Sequence, residues 1–435
     1  MVKRRDDVIK INFADTGSNG IVERFITTTL DEMGYKYVIS NRPDYLFCGD
    51  FMTYQFLEYD CIKVYVCAEN EFPNFNLYDY AIGEYEIDYD KRYLRYPFYL
   101  WRDGTKEAFN NALNKKIVTN GFDRKFCNMV VSNGNMSASY RRDLFFKLSE
   151  YKKVDSAGGY LNNMGGEKIP KSIDRKLEFS SGYKFSIACE NASHPGYTTE
   201  KIIEAWNAGT IPIYWGNPNI GLEFNEEAFV NCHAYSSIEE VLNRIRTIDE
   251  DESVYNSMLN QPIINEFSGA KKYITNELLF HFFSNIFDVP YEQAKIIISY
   301  SRVGGINREL RGIVKESFYW NIYRSLTTTD GNRMIKKLIN IMEKDKVYIY
   351  GAGAMGRYVA KTLQDNGVIV FAFIDRDKGV KSDNCSNKPI YTVEEVNKDD
   401  GAVVINTVYD PIGEISKGLE KRLMMKVIGI EDFLQ

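Results

Sequence analysis

The sequence predicts an α/β fold made of repeated nucleotide-fold units, and three observations support this. At 435 residues the chain exceeds one ordinary domain, so about two to four are expected. From the N-terminus onward, short β-branched and aromatic runs alternate with helix-periodic stretches, which is the order of an open sheet with crossover helices. Near residue 345 a strand, a glycine-rich turn and a helix follow one another in KVYIYGAGAMGRYVAKTL and restart the same pattern.

In the first segment, residues 1–130, the strand-like runs are VIKINFA, YKYVIS, YLFCGD and CIKVYVCA, with VERFITTTLDEM as a helix between the first two. Residues 131–288 read as a second α/β segment. It opens with the strand CNMVVSN, passes through the helical YRRDLFFKLSEY to a glycine-rich loop at Ser156–Gly159, and reaches the strand KFSIACEN. In TEKIIEAWNA, Ile202, Ala205 and Trp206 fall on one helical face, Gly209 is placed to end the helix, and IPIYWG returns as a strand. Ligands of such βαβ units bind at the carboxyl ends of the strands. Residues 289–344 read as a helical connector without motifs, and 345–435 as a third, small Rossmann-like domain.

Composition narrows the chemistry. A net charge of −6 argues against a broad nucleic-acid footprint, which needs clustered Lys and Arg. Seven cysteines are scattered without a CxxC pair and there are only three histidines, so neither a disulfide framework nor a zinc site is expected. The start, MVKRRDDVIKINF, holds no apolar run of signal-peptide length, and no window reaches the length of a membrane span. The expected location is cytoplasmic, with peripheral contact to a membrane face left open. Carboxylates and cations remain as the reactive groups.

The most informative stretch is CENASHPGYTTEKIIEAWNAGTIPIYWG, residues 189–216. Pro195 and Gly196 predict a turn, Thr198 or Thr199 a helix cap, and Glu200 and Lys201 the first helical turn. Backbone N–H groups and the positive dipole end at a helix start suit a phosphate. A lysine there is unfavourable for the helix, so an anionic ligand on Lys201 would relieve the conflict. The bland alternative is a solvated surface lysine beside an ordinary first-turn acid.

CEN, YTTEK and AGTIPIYWG resemble the donor-binding motif of the α-1,3-fucosyltransferases, glycosyltransferase family 10, with Cys189 where that family usually has an aromatic residue. The resemblance covers about residues 8–288 and implies a GT-B-type pair of Rossmann-like domains, the first on the acceptor side and the second binding GDP-fucose. Carried over by position, it implies donor contacts from Asn191, Tyr197, Thr199, Glu200 and Lys201, and from Ser132 and Asn133 at a strand end. Arg141 matches the family's diphosphate-binding arginine, although the adjacent Arg142 offers a second register. AENEFPNFNLYDYAIG resembles the acceptor-side motif and puts Glu69 at the position of the general base. Glu69 also follows the apolar strand VYVCA, where partial desolvation raises a carboxyl pKa and suits it to accept a proton. Glu71 competes with it in register, and Glu84 is read as an exposed acid.

The reaction implied is inverting transfer of L-fucose from GDP-fucose to a GlcNAc or Glc hydroxyl of a glycan containing Gal-GlcNAc or similar. No cofactor is required on this reading. The triplet Asp88–Asp90 is taken as a loop feature and not as a metal-binding motif. Transfer of another GDP-sugar is the nearest alternative. Gly351, Gly353 and Gly356, with Asp375 ending the next strand, have the context of a dinucleotide fingerprint. That domain resembles small Rossmann-like domains appended to sugar-modifying enzymes. Its expected use is structural or regulatory, or nucleotide binding, and an NAD-dependent sugar oxidoreductase centred on it is the alternative from a different class.

Overall fold

The computed structural model describes residues 7–297, apart from 52, 115–116, 120, 133, 135–137, 166–167 and 170–171, then 310, 313 and 315, and 346–430 apart from 377–387, 398–401 and 411–412. Two compact units result, one of Met1–Phe56 and Cys61–Ile298, the other of Leu57–Asp60 and Ser299–Gln435. Among the described residues no helix is long and apolar enough to cross a membrane.

The first unit holds two parallel sheets. One contains β1 (Ile9–Ala14), β2 (Tyr37–Ile39), β3 (Tyr45–Cys48), β4 (Ile62–Val66), β5 (Tyr80–Gly83) and β6 (Tyr93–Arg95), in the order β2-β1-β3-β4-β5-β6. Every residue of β3, β4 and β5 is buried, as expected for central parallel strands covered on both faces. The helix predicted after β1 is α1 (Ile21–Met33), which buries Val22, Phe25, Ile26, Leu30 and Met33. A second helix, α2 (Thr105–Leu113), ends this segment.

The other sheet contains β7 (Lys125–Met129), β8 (Val154–Ser156), β9 (Tyr183–Cys189), β10 (Ile211–Trp215) and β11 (Val230–Asn231), in the order β11-β10-β9-β7-β8. Its first strand therefore starts at Lys125, ahead of the boundary expected at 130/131. Its helices are α3 (Ser139–Tyr151), α4 (Ile173–Ser180), α5 (Glu200–Asn207), α6 (Ile220–Glu223), α7 (Ile238–Glu250) and α8 (Glu252–Leu259). The helix expected over TEKIIEAWNA is α5, and Gly209 follows it in the left-handed region at φ 68°. Together the two sheets and their helices make the GT-B-type pair.

Packing ties the halves together in ways the sequence segments do not follow. After α8 the chain returns to the first sheet through α9 (Glu277–Phe287) and α10 (Tyr291–Ala294). Phe287 packs edge-on against Tyr35 and Tyr45, and Phe283 against Phe47. Tyr80 donates to the Ala294 carbonyl at 2.8 Å, and the buried Asp79 carboxylate accepts from the amides of Ile296 and Ile297. Residues 277–297 thus complete the first half, although they sit at the end of the segment expected to form the second. In the opposite direction, Ala108, Phe109 and Ala112 of α2 share one core with Ile202, Ile203 and Trp206 of α5. Most of the connector expected at 289–344 lies outside the described residues.

A buried ion pair also crosses between the halves. Arg95, at the end of β6, meets Glu223 of α6 at 2.7 Å and donates to the Gly196 carbonyl at 2.7 Å. Tyr99 and Thr198 donate to the same carboxylate at 2.8 and 3.1 Å. Gly196 itself has φ 93°, and a Cβ there would lie 2.3 Å from the Glu84 carbonyl, so the turn needs glycine.

The second unit has β12 (Lys346–Tyr350), β13 (Ile369–Ile374), β14 (Ile390–Tyr391), β15 (Ala402–Asn406) and β16 (Lys426–Gly429), all parallel in the order β14-β13-β12-β15-β16, with helices α11 (Ala354–Asp365) and α12 (Glu414–Leu423). This is a small doubly wound Rossmann-like sheet. A Cβ on Gly356 would lie 1.8 Å from the Gly351 carbonyl oxygen, so α11 reaches the strand end only because that position has no side chain.

Removing one partner of a buried ion pair strands the other charge, at a cost of about 3–5 kcal/mol. Glu223→Ala is therefore expected to lower the unfolding free energy of the first unit by about that amount, read from the denaturant midpoint of the full chain.

Candidate active site

The carboxyl ends of β4, β7 and β9 bring the sequence-predicted residues around one opening. Glu69 follows β4, Ser132 follows β7, and Asn191 follows β9, while Tyr197, Thr199, Glu200 and Lys201 lead into α5. All seven line a cavity of about 760 Å³. Asn133 lies outside the described residues. A second cavity, of about 950 Å³, shares Ala68, Glu69, Phe98, Asn191 and Tyr197 with the first. Glu69 therefore stands where the two meet.

Glu69 is accessible from the open cleft, yet the cleft walls crowd its carboxylate. Burial raises its pKa most, Asp50 and Glu200 raise it further, and Lys201 and a Tyr197 hydroxyl donating at 3.3 Å pull it back down, leaving it above the ordinary glutamate value. Glu71 is occupied by the Tyr65 hydroxyl, which donates to it at 2.9 Å. Glu84 is not an exposed acid. It is fully buried, accepts from the Phe98 amide at 2.6 Å, and burial holds its pKa well above normal. No local pattern signals this burial, because the turn at Gly196 and Arg95, which pack against Glu84, are distant in the chain or lie on another element.

The start of α5 differs from expectation in one respect that governs the site. Neither Thr198 nor Thr199 caps the helix with its side chain. Instead the fully buried Glu190 accepts from the Thr199 amide at 2.8 Å and from its hydroxyl at 2.7 Å. The same carboxylate holds Lys201 at 2.8 Å. The conflict between a lysine and a helix N-terminus is thus relieved from within the protein, by an acid that sequence reasoning passed over. The available signals were its place directly after an apolar strand and its position beside Asn191 in the CEN motif.

Other charges complete the wall. Burial opposes ionisation of Glu200, but Lys201, Arg102 and Lys176 outweigh it and hold its pKa below the ordinary value. Arg102 bridges Glu200 at 3.4 Å and Glu204 at 2.7 Å, and Lys176 also pairs with Glu204. The first cavity is accordingly lined by Arg102, Lys168, Lys176 and Lys201. None of the first three was predicted, since they come from positions far apart in the chain.

The two arginine registers separate cleanly. Arg141 is fully buried and donates to the Cys189 carbonyl and to Asn191 Oδ1, whereas Arg142 is exposed and pairs with Asp143 at 2.9 Å. Arg141 does not line the cavity among the described residues; it stands behind Asn191, with its Nη1 buried and unpartnered among them. Asp88 and Asp90 are exposed.

In the second unit, Gly351, Gly353, Gly356 and Asp375 line a separate cavity of about 580 Å³ together with Arg376 and Thr407. Asp375 Oδ2 accepts from the Ala352 amide at 2.8 Å, so this carboxylate braces the glycine turn.

Two family profiles match the chain. Residues 11–101 match the α-(1,3)-fucosyltransferase FucT N-terminal domain, and residues 119–261 match the C-terminal region of glycosyltransferase family 10 (fucosyltransferase). The chain belongs to glycosyltransferase family 10. Among its curated relatives, the α-(1,3)-fucosyltransferase FucT of Helicobacter pylori is 34% identical over 244 residues, covering 49% of this chain and 50% of that protein. A fucosyltransferase of Acanthamoeba polyphaga mimivirus, named as putative, is 33% identical over 146 residues, or 32% of this chain and 24% of that one. The family 10 chain thus spans half or less of these relatives. A solved structure of an α1,3-fucosyltransferase with GDP-fucose superposes with a TM-score of 0.55 at 26% identity, covering 67% of this chain and 95% of that one.

Glu190→Ala should release the start of α5. Faster amide exchange at Thr199, measured by mass spectrometry on the Tyr197–Lys201 segment, is the expected result, with a stability loss of about 3–5 kcal/mol from the stranded Lys201.

Proposed function

We propose that this family 10 chain is an inverting α-1,3-fucosyltransferase that moves L-fucose from GDP-fucose to a GlcNAc or Glc hydroxyl of a glycan acceptor. The observation that carries the proposal is the position of Glu69 at the junction of two cavities, one lined by Arg102, Lys168, Lys176 and Lys201 beside Glu200 and Glu204, the other with no Lys, Arg or His among its described lining residues. The fold shared with a solved fucosyltransferase holding GDP-fucose supports the choice of donor.

On this reading the second half binds GDP-fucose in the cation-walled cavity and the first half presents the acceptor. The acceptor hydroxyl attacks the fucose anomeric carbon from the side opposite GDP. As the new C–O bond forms, Glu69 takes the hydroxyl proton, and the bond to the diphosphate breaks with its electron pair leaving on GDP. Lys201 faces the developing negative charge, and its pairing with Glu190 fixes it there in advance. Arg141 acts from behind by orienting Asn191 and adding positive potential. Preorganised charges of this kind contribute roughly 3–4 kcal/mol to a transition state. Lys201 keeps its charge, because Glu190 and Glu200 more than offset the desolvation that would lower its pKa. No step needs a metal or a further cofactor.

Two outcomes test the division of roles. Glu69→Ala should abolish turnover while leaving GDP-fucose affinity, measured by calorimetry, nearly intact; Lys201→Ala should weaken the donor. Equal loss of binding in both would refute separate roles.

The pH profile offers an independent check. A base must be ionised to act, so kcat/KM should fall with decreasing pH through the raised Glu69 pKa, at a midpoint above the ordinary glutamate value. Lys201→Met removes a charge that favours ionised Glu69 and should move this acid limb to still higher pH.

A further inference from the structure

The larger of the two cavities carries information about the acceptor. Its described lining includes three ionisable carboxylates, Asp50, Glu69 and Glu71, and no Lys, Arg or His. Phe51, Phe98 and Trp101 supply its aromatic walls, and Thr16, Asn19 and Asn70 its neutral polar ones. The cavity on the other side of Glu69 is lined by Arg102, Lys168, Lys176 and Lys201 together with Glu200 and Glu204, so positive side chains are present on that side of the base and missing from the described lining on this one.

The acids are held in place. Glu71 accepts from Tyr65 at 2.9 Å, and the Cys67 thiol lies 3.7 Å from Asp50 Oδ2. Behind Thr16, the Thr16 hydroxyl donates to Glu23, which adds a further negative charge. At the rim, Arg24 donates to the Asn19 carbonyl at 3.0 Å, but its guanidinium is bound to Asp103. Hydroxyl-rich sugars gain from such a wall, because carboxylates accept sugar O–H donors strongly and aromatic faces cover C–H faces. An acidic sugar would meet like charges with no cation in the described lining of this cavity to compensate.

We propose that Asp50 and Glu71 make this site select uncharged acceptor glycans and reject those bearing a carboxylate, sulfate or phosphate near the reacting hydroxyl. This inference rests on the transferase reading above and adds to it the charge class of the acceptor.

The test is fucosyl transfer from GDP-fucose by the full chain to three matched acceptors. They are a neutral galactosyl-N-acetylglucosamine, the same disaccharide with its galactose C6 oxidised to a carboxylate, and the methyl ester of that acid. The acid should show kcat/KM lower by about tenfold or more at low ionic strength, since like charges at contact range repel by an amount of that order. The ester, of similar bulk but uncharged, should behave like the neutral parent. Added salt should narrow the gap. Asp50→Asn and Glu71→Gln, each close in shape to the native residue, should narrow it as well, read as the acid-to-ester ratio and not as absolute rate. Equal use of acid and ester, or a gap unmoved by salt and by both variants, would overturn the proposal. Transfer to none of the three, with GDP-fucose still bound, would instead overturn the transferase reading and this inference with it.

Discussion

One buried carboxylate governs the geometry of the cleft. Glu190 has no solvent exposure, so its charge is tolerable only because the Thr199 amide, the Thr199 hydroxyl and Lys201 all converge on it. Those contacts also set the start of α5, the direction of Lys201 and, through the intervening turn, the place of Tyr197. Tyr197 in turn reaches Glu69 from the other half of the unit. Without Glu190 a lysine in the first turn of a helix would face an unfavourable dipole; with it, the same lysine is fixed beside the cavity before any ligand arrives.

That arrangement requires the two halves to stay in register, and the packing provides for it. The chain crosses back to the first sheet through α9, and α2 crosses forward to lie on α5, so each half completes the other's hydrophobic core. The Arg95–Glu223 pair, with Tyr99 and Thr198 on the same carboxylate, pins the junction by hydrogen bonds that are directional where the apolar contacts are not. Hydrophobic burial supplies most of the cohesion, and the polar network selects one relative placement of the halves.

Much of the architecture was legible from pattern. The alternation of apolar strands with amphipathic helices announced parallel sheets, because both follow from burial on two faces and on one face respectively. The weak points were elements without a periodic signature: β5 and β6 are short, and the return of α9 to the first sheet leaves no trace in a helix that is simply apolar. Glu84 shows the same limit, since an acid in a polar-looking loop is buried only because distant turns close over it.

The amino-acid sequence by itself determined the α/β class, the strand-end positions of Glu69 and Asn191, and the family motif around Lys201, because these depend on local periodicity and on residues close together in the chain. Only the tertiary structure decided that Glu190 answers Lys201, that Arg141 and not Arg142 is enclosed, that Arg102 and Lys176 join the same wall, and that Glu69 stands between a cavity that holds cations and one whose described lining holds none. Those are sums of charge and burial over residues far apart in the chain, and such sums exist only after the chain has folded.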